Sequence, residues 1–320
     1  MAAILAPKPR AERYVLLERL GSGGAGEAWR ARREGGLIEE EVCVKRPHDA
    51  FGPAGRAAFL EEARVLSRVR HGNVVALIDV VEDQAGSLLL IMELVRGANL
   101  RAVMSSAAER GEPLSPEAVA EVGAGVCRAL SAAARAVPGG VVHRDVSPRN
   151  LLVSLEGEVK LADFGVARAY DRARWTRSGL VKGKTAYLSP EQARGEPLDA
   201  RSDLFALGVV LYELLAGERP FEPRGAGALL DALTERAYRP LVERAPRAPR
   251  GLAEVVEQLL AASREARPPS AEAALRLLGR HTDARGAAEL RRAARGAASP
   301  GLARARSREP SLTAAATRRR

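Results

Sequence analysis

Long apolar runs are absent from this 320-residue sequence. The longest runs, such as residues 88–92, fall far short of the roughly 20 apolar residues that a membrane-spanning helix needs. The first 14 residues also lack the pattern of a secretory signal, because their positive charges follow the short apolar stretch instead of preceding it. We therefore expect neither a membrane span nor export, and we expect a cytoplasmic location.

Cysteine and aromatic residues are also scarce. The two cysteines, Cys43 and Cys127, lack the spacing of a disulfide framework or a metal site, so we expect buried thiols in a reducing compartment. Aromatic residues make up 4% of the chain, so leucine, valine and alanine must supply most of the core. With 46% hydrophobic residues, a chain of this length is globular and has room for two domains or one domain of two lobes.

Positive charge is concentrated near the C-terminus. The chain has a formal net charge of +10, and residues 281–320 alone hold ten arginines against three acidic residues. This segment has few large apolar side chains, so we expect a solvated tail without fixed structure. A contact with an anionic partner is the alternative. No aromatic residues are interleaved for base stacking, so the sequence carries no recognisable module for binding DNA.

Polar residues gather in the sequence HRDVSPRN at 143–150, and a further carboxylate follows at Asp163 within DFG. The apolar runs on either side of Gly157 predict a short hairpin that brings its two ends together. Phosphoryl transfer from ATP needs a carboxylate beside the attacking hydroxyl, and a carboxylate and an amide oxygen on the metal ion. Asp145, Asp163 and Asn150 supply groups of these types.

A glycine-rich turn and a strand lysine precede that segment. Residues 21–26 match GxGxxG between two strands, where backbone N–H groups can approach phosphate oxygens. Dinucleotide-binding folds share the pattern but require a helix at the third glycine, whereas this sequence continues as a strand. The next strand ends at Lys45, and a helix predicted over 56–69 turns Glu62 inward. Glu61 lies about 100° away on the helix and is expected to face solvent.

Taken in this order, the glycine turn, strand lysine, helix glutamate, HRDxxxxN and DFG resemble the eukaryotic-type protein kinases, specifically the bacterial serine/threonine kinases. The resemblance covers about residues 14–280, and GGAGE in the turn is close to the bacterial GGMGE form. It implies an α+β fold of two lobes: a small, mainly β N-lobe at about 14–95 with one key helix, and a larger, mainly α C-lobe at about 96–280. Residues 1–13 would be a mobile lead-in.

The resemblance also implies cofactors and residue roles. ATP would bind with Mg²⁺ or Mn²⁺, and proteins would be the substrates, with autophosphorylation expected. Lys45, held by Glu62, would position the α and β phosphates. Asn150 and Asp163 would hold the metal ion, while Asp145 would orient the acceptor hydroxyl and accept its proton. The nucleotide-binding residues implied are Leu20, Gly21, Ser22, Gly23, Gly24, Ala25, Gly26, Glu27, Ala28, Lys45, Glu93 and Val95.

Two positions depart from the serine/threonine kinase pattern. Ser147 stands two residues after Asp145, where those kinases have a lysine that neutralises the transferring phosphoryl group. Arg149 lies where tyrosine kinases with HRDLAARN have an arginine with this role. Lys184 replaces the threonine of GTxxY. Dual or tyrosine specificity is therefore the alternative within the class. A pseudokinase that acts as a binding scaffold is the alternative from another class, but it predicts erosion of the catalytic lysine and aspartates, which are all present.

The segment 163–191, between DFG and SPE, is long and irregular for a loop inside a compact domain, which indicates a functional role. Thr176 and Ser178 lie in it among basic residues, and Arg144 directly precedes Asp145. In kinases with this arginine, a phosphate on the segment pairs with it and orders the loop. We therefore expect autophosphorylation at Thr176 or Ser178 to raise activity.

Three further residues are expected to support the site. By resemblance, Asp203 at the start of an apolar helix would anchor the backbone of the catalytic loop. Arg267 would pair with Glu191 of SPE, which is a structural role.

Overall fold

The computed structural model of the chain describes residues 13–23, 26–35, 39–47, 52–136, 140–164, 185–221, 231–233, 238–298 and 312–314. The chain divides into two compact units. The smaller unit draws on residues 1–63, 77–94 and 305–320, and the larger unit draws on residues 64–76 and 95–304.

The smaller unit is built on an antiparallel sheet. Its main strands are β1 (Arg13–Gly23), β2 (Gly26–Glu34), β3 (Glu40–Arg46), β4 (Leu77–Glu82) and β5 (Leu88–Glu93). They lie in the order β4–β5–β3–β2–β1, and a short C-terminal strand extends the sheet beyond β1. The core of the sheet consists of Tyr14, Ala31, Val42, Val44, Val81, Leu89 and Ile91. Most of these are β-branched or aromatic residues, which pack well on a pleated surface.

The turn between β1 and β2 requires glycine where β2 begins. Gly26 pairs with Gly23 and has a φ of 142°. A Cβ atom at Gly26 would lie 2.1 Å from the carbonyl oxygen of Arg46 on β3. Any other residue at Gly26 would therefore strain the backbone and push β2 away from β3. Residues 24–25, which complete the turn, lie outside the described residues.

Helix α1 (Gly52–Arg68) follows β3 in the chain. Phe59, Glu62 and Leu66 recur on it at helical spacing, and all three are buried. This agrees with the amphipathic helix that the sequence predicts. The helix begins in the smaller unit, and its residues from 64 onward are grouped with the larger unit.

The larger unit is mainly helical. Its helices are α2 (Leu100–Glu109), α3 (Pro116–Ala136), α4 (Pro190–Arg194), α5 (Ala200–Ala216), α6 (Leu241–Arg244), α7 (Arg250–Leu259), α8 (Ala271–Leu278) and α9 (Ala284–Ala297). Short 3₁₀ turns occupy Thr185–Tyr187, Arg264–Ala266 and Gly279–His281. A small antiparallel sheet has the order β6 (Gly97–Asn99), β7 (Leu151–Ser154) and β8 (Val159–Leu161). The β7–β8 hairpin is the one predicted on either side of Gly157.

Helix α5 lies at the centre of the larger unit. All its residues from Ser202 to Leu214 are buried, and it packs against α3, α7 and α8. A helix that is apolar around most of its circumference is expected to be surrounded by protein on all sides. Asp199 caps its N-terminus, and Gly217 ends it in the left-handed conformation. The helix is thus a rigid base for any side chain that projects from its first turn.

The C-terminal segment corrects a prediction. The sequence predicts a tail without fixed structure from residue 281 onward, but Ala284–Ala297 forms α9, which packs against α2, α3, β6 and β7. Alanine and arginine favour helix formation, and a narrow stripe of small residues suffices where a core already exists to receive it. The buried residues of the stripe are Gly286, Leu290, Ala293 and Ala294. Strand β9 (Leu312–Ala314) pairs with residues 14–16 of β1.

Two expectations from composition concern membranes and thiols. No helix in the described parts of the chain has both the length and the apolar character to cross a membrane. Cys127 is buried as expected, whereas Cys43 is only partly buried, and burial raises the pKa of Cys127 to about 12. Cys127 is therefore an inert core residue.

Candidate active site

A buried ion pair belongs to the smaller unit. Lys45 lies on β3, where its Cα pairs with Ala28 of β2 and Leu90 of β5. Its Nζ atom is 2.7 Å from Oε1 of Glu62 on α1, and the two side chains have only 6% and 2% of their surface exposed. Glu61 is exposed. The structure therefore pairs Lys45 with the glutamate that helical spacing predicts, and the pair fixes the direction of the ammonium group.

The glycine turn of the same unit holds most of the nucleotide-binding residues that the resemblance implies. The two ends of the hairpin are paired, with Ser22 opposite Glu27 and Gly21 opposite Ala28. The Glu27 carboxylate accepts hydrogen bonds from Arg19 and from the indole of Trp29, both at 3.2 Å. Glu27 thus braces the hairpin. The residues placed by the structure are Leu20, Gly21, Ser22, Gly23, Gly26, Glu27 and Ala28, whereas Gly24 and Ala25 lie outside the described residues.

The predicted adenine contacts lie at the end of β5. Glu93 is the last residue of that strand and pairs with Val42 of β3, while Met92 before it is buried. Val95 follows without regular secondary structure, ahead of β6. Glu93 and Val95 are both partly buried.

The loop at residues 143–150 of the larger unit, called the catalytic loop by resemblance, is bound by a side chain of α5. The Asp203 carboxylate accepts the backbone N–H of His143 at 2.7 Å and that of Arg144 at 2.8 Å. Burial raises the pKa of Asp203 to about 7, although the two N–H groups favour its charged form. One side chain on a fully buried helix therefore fixes two successive residues directly before Asp145, as the resemblance implies.

His143 connects the HRD and DFG motifs within this unit. Its Nδ1 atom accepts the backbone N–H of Asp145 at 3.3 Å, so the ring proton lies on Nε2, which is 3.0 Å from the carbonyl oxygen of Ala162. The fully buried ring also packs against Phe164, with 4.7 Å between ring centroids. His143 thus ties the backbone of Asp145 to the residues on both sides of Asp163.

Two residues of this region hold strained backbone conformations. Arg144 has a φ of 68° and Asp163 a φ of 58°, which non-glycine residues adopt at a cost of about 1–2 kcal/mol each. The hydrogen bond from Arg144 to Asp203 offsets part of this cost. Such strain at carboxylate-bearing loops is typical of functional sites.

Asn150 stands where the hairpin begins. Its Nδ2 donates to the backbone carbonyl of Asp145 at 2.8 Å, which directs the amide oxygen away from that contact. Its own carbonyl accepts the N–H of Ala162 at 2.9 Å, and the neighbouring residues Leu151 and Leu161 are paired across the hairpin. Because Asp163 follows Ala162 directly, the hairpin brings the backbone of Asn150 next to that of Asp163.

Ser147, which departs from the serine/threonine pattern, and Arg149, which lies where tyrosine kinases have an arginine, differ in exposure. Ser147 is buried, with 9% of its surface exposed, and its carbonyl accepts the N–H of Asn150. Arg149 is exposed, and within the described residues its side chain has no hydrogen bond or ion pair. No contact among the described residues therefore fixes the direction of the Arg149 guanidinium group.

Glu191 and Arg267 form a second buried ion pair, as predicted. The two guanidinium nitrogens of Arg267 lie 2.7 and 2.9 Å from the two carboxylate oxygens of Glu191, and both side chains are at most 1% exposed. Burial raises the pKa of Glu191, but hydrogen bonds from Arg267 and Ser202 outweigh burial and lower it to about 2. The pair joins α4 to the loop before α8, at the end of the segment that follows DFG.

Sequence reasoning missed a cluster around Tyr187. The Tyr187 hydroxyl donates to Glu213 of α5 at 2.6 Å, and Arg101 at the start of α2 contacts both side chains. Burial and the Glu213 contact raise the pKa of Tyr187 well above its usual value, so the hydroxyl keeps its proton. The three residues are far apart in the chain and each has an ordinary sequence context, so no local signal could reveal them.

Gln192 was also missed. It closes a capping box with Ser189 at the start of α4, and its side-chain amide nitrogen, Nε2, donates to the carbonyl of Arg144 at 3.2 Å. The residue after SPE thereby supports the strained turn of the catalytic loop. Thr176, Ser178 and the other residues of 165–184 lie outside the described part of the chain, so the predicted phosphorylation sites have no structural placement.

Features of both units define a protein kinase. The smaller unit has the buried lysine–glutamate pair, and the larger unit has the anchored HRD loop and the hairpin that leads into DFG. The family model described as protein tyrosine and serine/threonine kinase matches residues 14–277, and the chain belongs to this family. The predicted α+β kinase fold, with a mainly β smaller part and a mainly α larger part, is confirmed.

Curated relatives carry both kinds of kinase name. The tyrosine-protein kinase MasK of Myxococcus xanthus is 36% identical over 268 residues, covering 81% of this chain and 41% of the relative. The probable serine/threonine-protein kinase PknB of Corynebacterium glutamicum is 42% identical over 219 residues, covering 66% of this chain and 32% of the relative. The serine/threonine-protein kinase PknL of Mycobacterium tuberculosis is 40% identical over 236 residues, with 70% and 55% covered. The chain therefore spans about a third to about half the length of these relatives.

Proposed function

We propose that this chain transfers the γ-phosphate of ATP to serine or threonine hydroxyls of proteins, its own included. The observation that carries the proposal is the anchoring of the catalytic loop. Asp203 holds the two residues before Asp145, and His143 and Asn150 each form a hydrogen bond to the backbone of Asp145. A loop fixed at this many points supports a role in which the Asp145 carboxylate must be aimed at one hydroxyl group.

The residues of the smaller unit would position the nucleotide. Lys45 would bind the α and β phosphates, since its ammonium group has three donors and can serve a carboxylate and phosphate oxygens together. Backbone N–H groups of the glycine turn would approach the phosphates where side chains are absent. The backbones of Glu93 and Val95 would bind the adenine. Support for the lysine role comes from its buried, 2.7 Å contact with Glu62.

The donor set at the hairpin fits a hard cation. Mg²⁺ prefers oxygen ligands and is commonly held by one or two carboxylates together with substrate phosphates. Asn150 offers an amide oxygen, because its nitrogen is engaged by the Asp145 carbonyl, and Asp163 offers a carboxylate. When bound, Mg²⁺ or Mn²⁺ would neutralise charge that develops on the phosphates. Asp145 would meanwhile orient the acceptor hydroxyl and take its proton.

Two alternatives are tested by the same experiment. Tyrosine or dual specificity is favoured by Ser147 and Arg149 and by the likeness to a relative named as a tyrosine kinase. A pseudokinase scaffold is the second alternative, although Lys45, Asp145 and Asp163 are all retained. Purified protein is incubated with labelled ATP and Mg²⁺, and its phosphoamino acids are separated. We expect phosphoserine and phosphothreonine. Phosphotyrosine, alone or together with the other two, would select the first alternative, and no incorporation would select the second.

Regulation by phosphorylation, the cellular compartment and the partners of the C-terminal segment are proposed as well. We propose that a phosphate on Thr176 or Ser178 pairs with Arg144, whose backbone is already fixed by Asp203 and Gln192. Full activity in the Thr176→Ala, Ser178→Ala double variant would contradict this. Two cysteines without the spacing of a disulfide framework fit a reducing compartment such as the cytoplasm. Anionic partners for the arginine-rich C-terminal segment are supported by its charge alone.

A further inference from the structure

Helix α9 lies beyond the residues that the family model covers, which end at 277, yet it is built into the larger unit. It packs against α2, α3, β6 and β7. Asp283 caps its first turn by accepting the backbone N–H groups of Arg285 and Gly286. The helix therefore has a defined start and a defined docking face.

Glycines on both sides allow α9 to approach closely. A Cβ atom at Gly286 of α9 would lie 2.6 Å from the backbone of Glu117 on α3. A Cβ atom at Gly157, in the β7–β8 turn, would lie 2.8 Å from the carbonyl oxygen of Ala287 on α9, and Gly157 has a φ of 90°. Both positions bring backbone against backbone, Gly286 against α3 and Gly157 against α9, so α9 fits closely against both α3 and the hairpin.

Three polar side chains of α9 bind the backbone of neighbouring elements. Glu289 accepts the N–H of Ser115 at the start of α3 at 2.8 Å. Nε of Arg291 donates to the carbonyl of Glu156, and Nε of Arg295 donates to that of Leu155, both at 3.2 Å. Leu155 and Glu156 form the turn of the β7–β8 hairpin, so the two arginines hold the hairpin at its tip.

The other end of that hairpin bears the proposed metal ligands. Asn150 directly precedes β7, and Asp163 follows β8 after one residue. We propose that α9 is a positioning element for phosphoryl transfer: Arg291 and Arg295 fix the hairpin tip, and the hairpin in turn fixes the separation of Asn150 and Asp163. Short hairpins are marginally stable by themselves, so hydrogen bonds to the turn restrain both strands. The inference rests on the metal-binding role proposed for these two residues.

The test uses the full chain with Arg291→Ala and Arg295→Ala combined. The matched control combines Arg285→Ala and Arg292→Ala, which removes the same charge from exposed positions of α9 whose side chains have no hydrogen bond within the described residues. Hydrogen exchange is measured at the hairpin amides, among them Ser154 and Gly157, which donate to Glu158 and Ser154. The Mg²⁺ concentration needed for half-maximal transfer is measured alongside.

In the Arg291→Ala, Arg295→Ala variant we expect faster exchange at the hairpin and a Mg²⁺ requirement raised about threefold to tenfold, the scale of one or two modest hydrogen bonds. The control should match the wild type in both measurements, and Arg291→Lys with Arg295→Lys should recover part of each loss. Unchanged exchange, or faster exchange with an unchanged Mg²⁺ requirement, would overturn the inference. An inactive wild type would instead contradict the proposed function, and unchanged exchange in the variant would still overturn the grip on the hairpin.

Discussion

The two units each contain a buried ion pair, and the two pairs are built differently. In the smaller unit, Lys45 meets Glu62 through a single nitrogen at 2.7 Å. In the larger unit, Arg267 meets Glu191 through two nitrogens and also donates to the backbone carbonyls of Arg201, Ala261 and Ala262. All five N–H groups of this guanidinium are thus used within the protein.

The chemistry of the two side chains separates a cation committed to the fold from one suited to ligand binding. A guanidinium whose donors are all satisfied by protein, and which also stacks on Phe205 at 4.9 Å, is committed to the fold. A lysine ammonium on a flexible stem can turn between a carboxylate and a phosphate. The Glu62 carboxylate contacts the ammonium group of Lys45 through Oε1 at 2.7 Å.

The largest effect is expected on the free energy of unfolding when the Arg267–Glu191 pair is broken. Arg267→Met should lower the free energy of unfolding by about 3–5 kcal/mol, because Glu191 and three backbone carbonyls lose a buried partner. Urea unfolding measures this change. The matched control is Arg276→Met, an exposed arginine on α8, which should change stability by no more than about 0.5 kcal/mol. Equal stability of the two variants would show that the Arg267 network contributes nothing particular.

The smaller unit's pair should affect catalysis more than folding. Lys45→Met should lower kcat about a hundredfold to a thousandfold, as expected for loss of one charged group on the phosphates. Its free energy of unfolding should fall by less than that of Arg267→Met. Glu62→Gln should also lower kcat, whereas Glu61→Gln, on the exposed face of α1, should not. The comparison between the two pairs breaks down if Lys45→Met retains wild-type kcat.

A third cation sharpens the comparison, because it is exposed. Arg149→Ala should lower kcat by about one to two decades if its guanidinium neutralises the transferring phosphoryl group, since a charged hydrogen bond contributes roughly 1.5–3 kcal/mol. Adding Ser147→Lys should restore much of the loss. An unchanged kcat in Arg149→Ala would mean that Arg149 does not supply the positive charge that is missing at Ser147.

A further effect appears only in acid. Because the pKa of Glu191 is lowered from about 4.5 to about 2, its carboxylate stabilises the fold fully above pH 4.5 and loses this effect as the pH falls toward 2. The melting temperature of the wild type should therefore fall over that range. It should fall less in the Glu191→Gln, Arg267→Met double variant, which lacks both charges. Parallel pH profiles would contradict the assigned pKa.

Local patterns in the sequence were sufficient for the parts of the site that depend on short-range geometry. The hairpin around Gly157 followed from two apolar runs, and the choice of Glu62 over Glu61 followed from helical periodicity. Each of these depends on residues within one or two elements. The family match then ordered them along the chain.

The contacts that were missed depend on tertiary packing. Tyr187, Glu213 and Arg101 meet across three elements, and none of them stands in a distinctive pattern. Helix α9 was missed because three of the four buried residues of its stripe are small, which resembles the composition of a solvated tail. Its packing depends on close backbone approaches at Gly157 of the hairpin and at Gly286 of the helix itself. Composition does not predict such approaches.

The most direct test of the central claim compares nucleotide binding with turnover in Asp145→Asn. The account assigns Asp145 to the acceptor hydroxyl and not to ATP, so the variant should bind ATP and Mg²⁺ nearly as well as the wild type and should transfer no measurable phosphate. The isosteric change keeps the backbone contacts with His143 and Asn150. Turnover within about tenfold of the wild type, a barrier change of only 1.36 kcal/mol, would contradict the assignment.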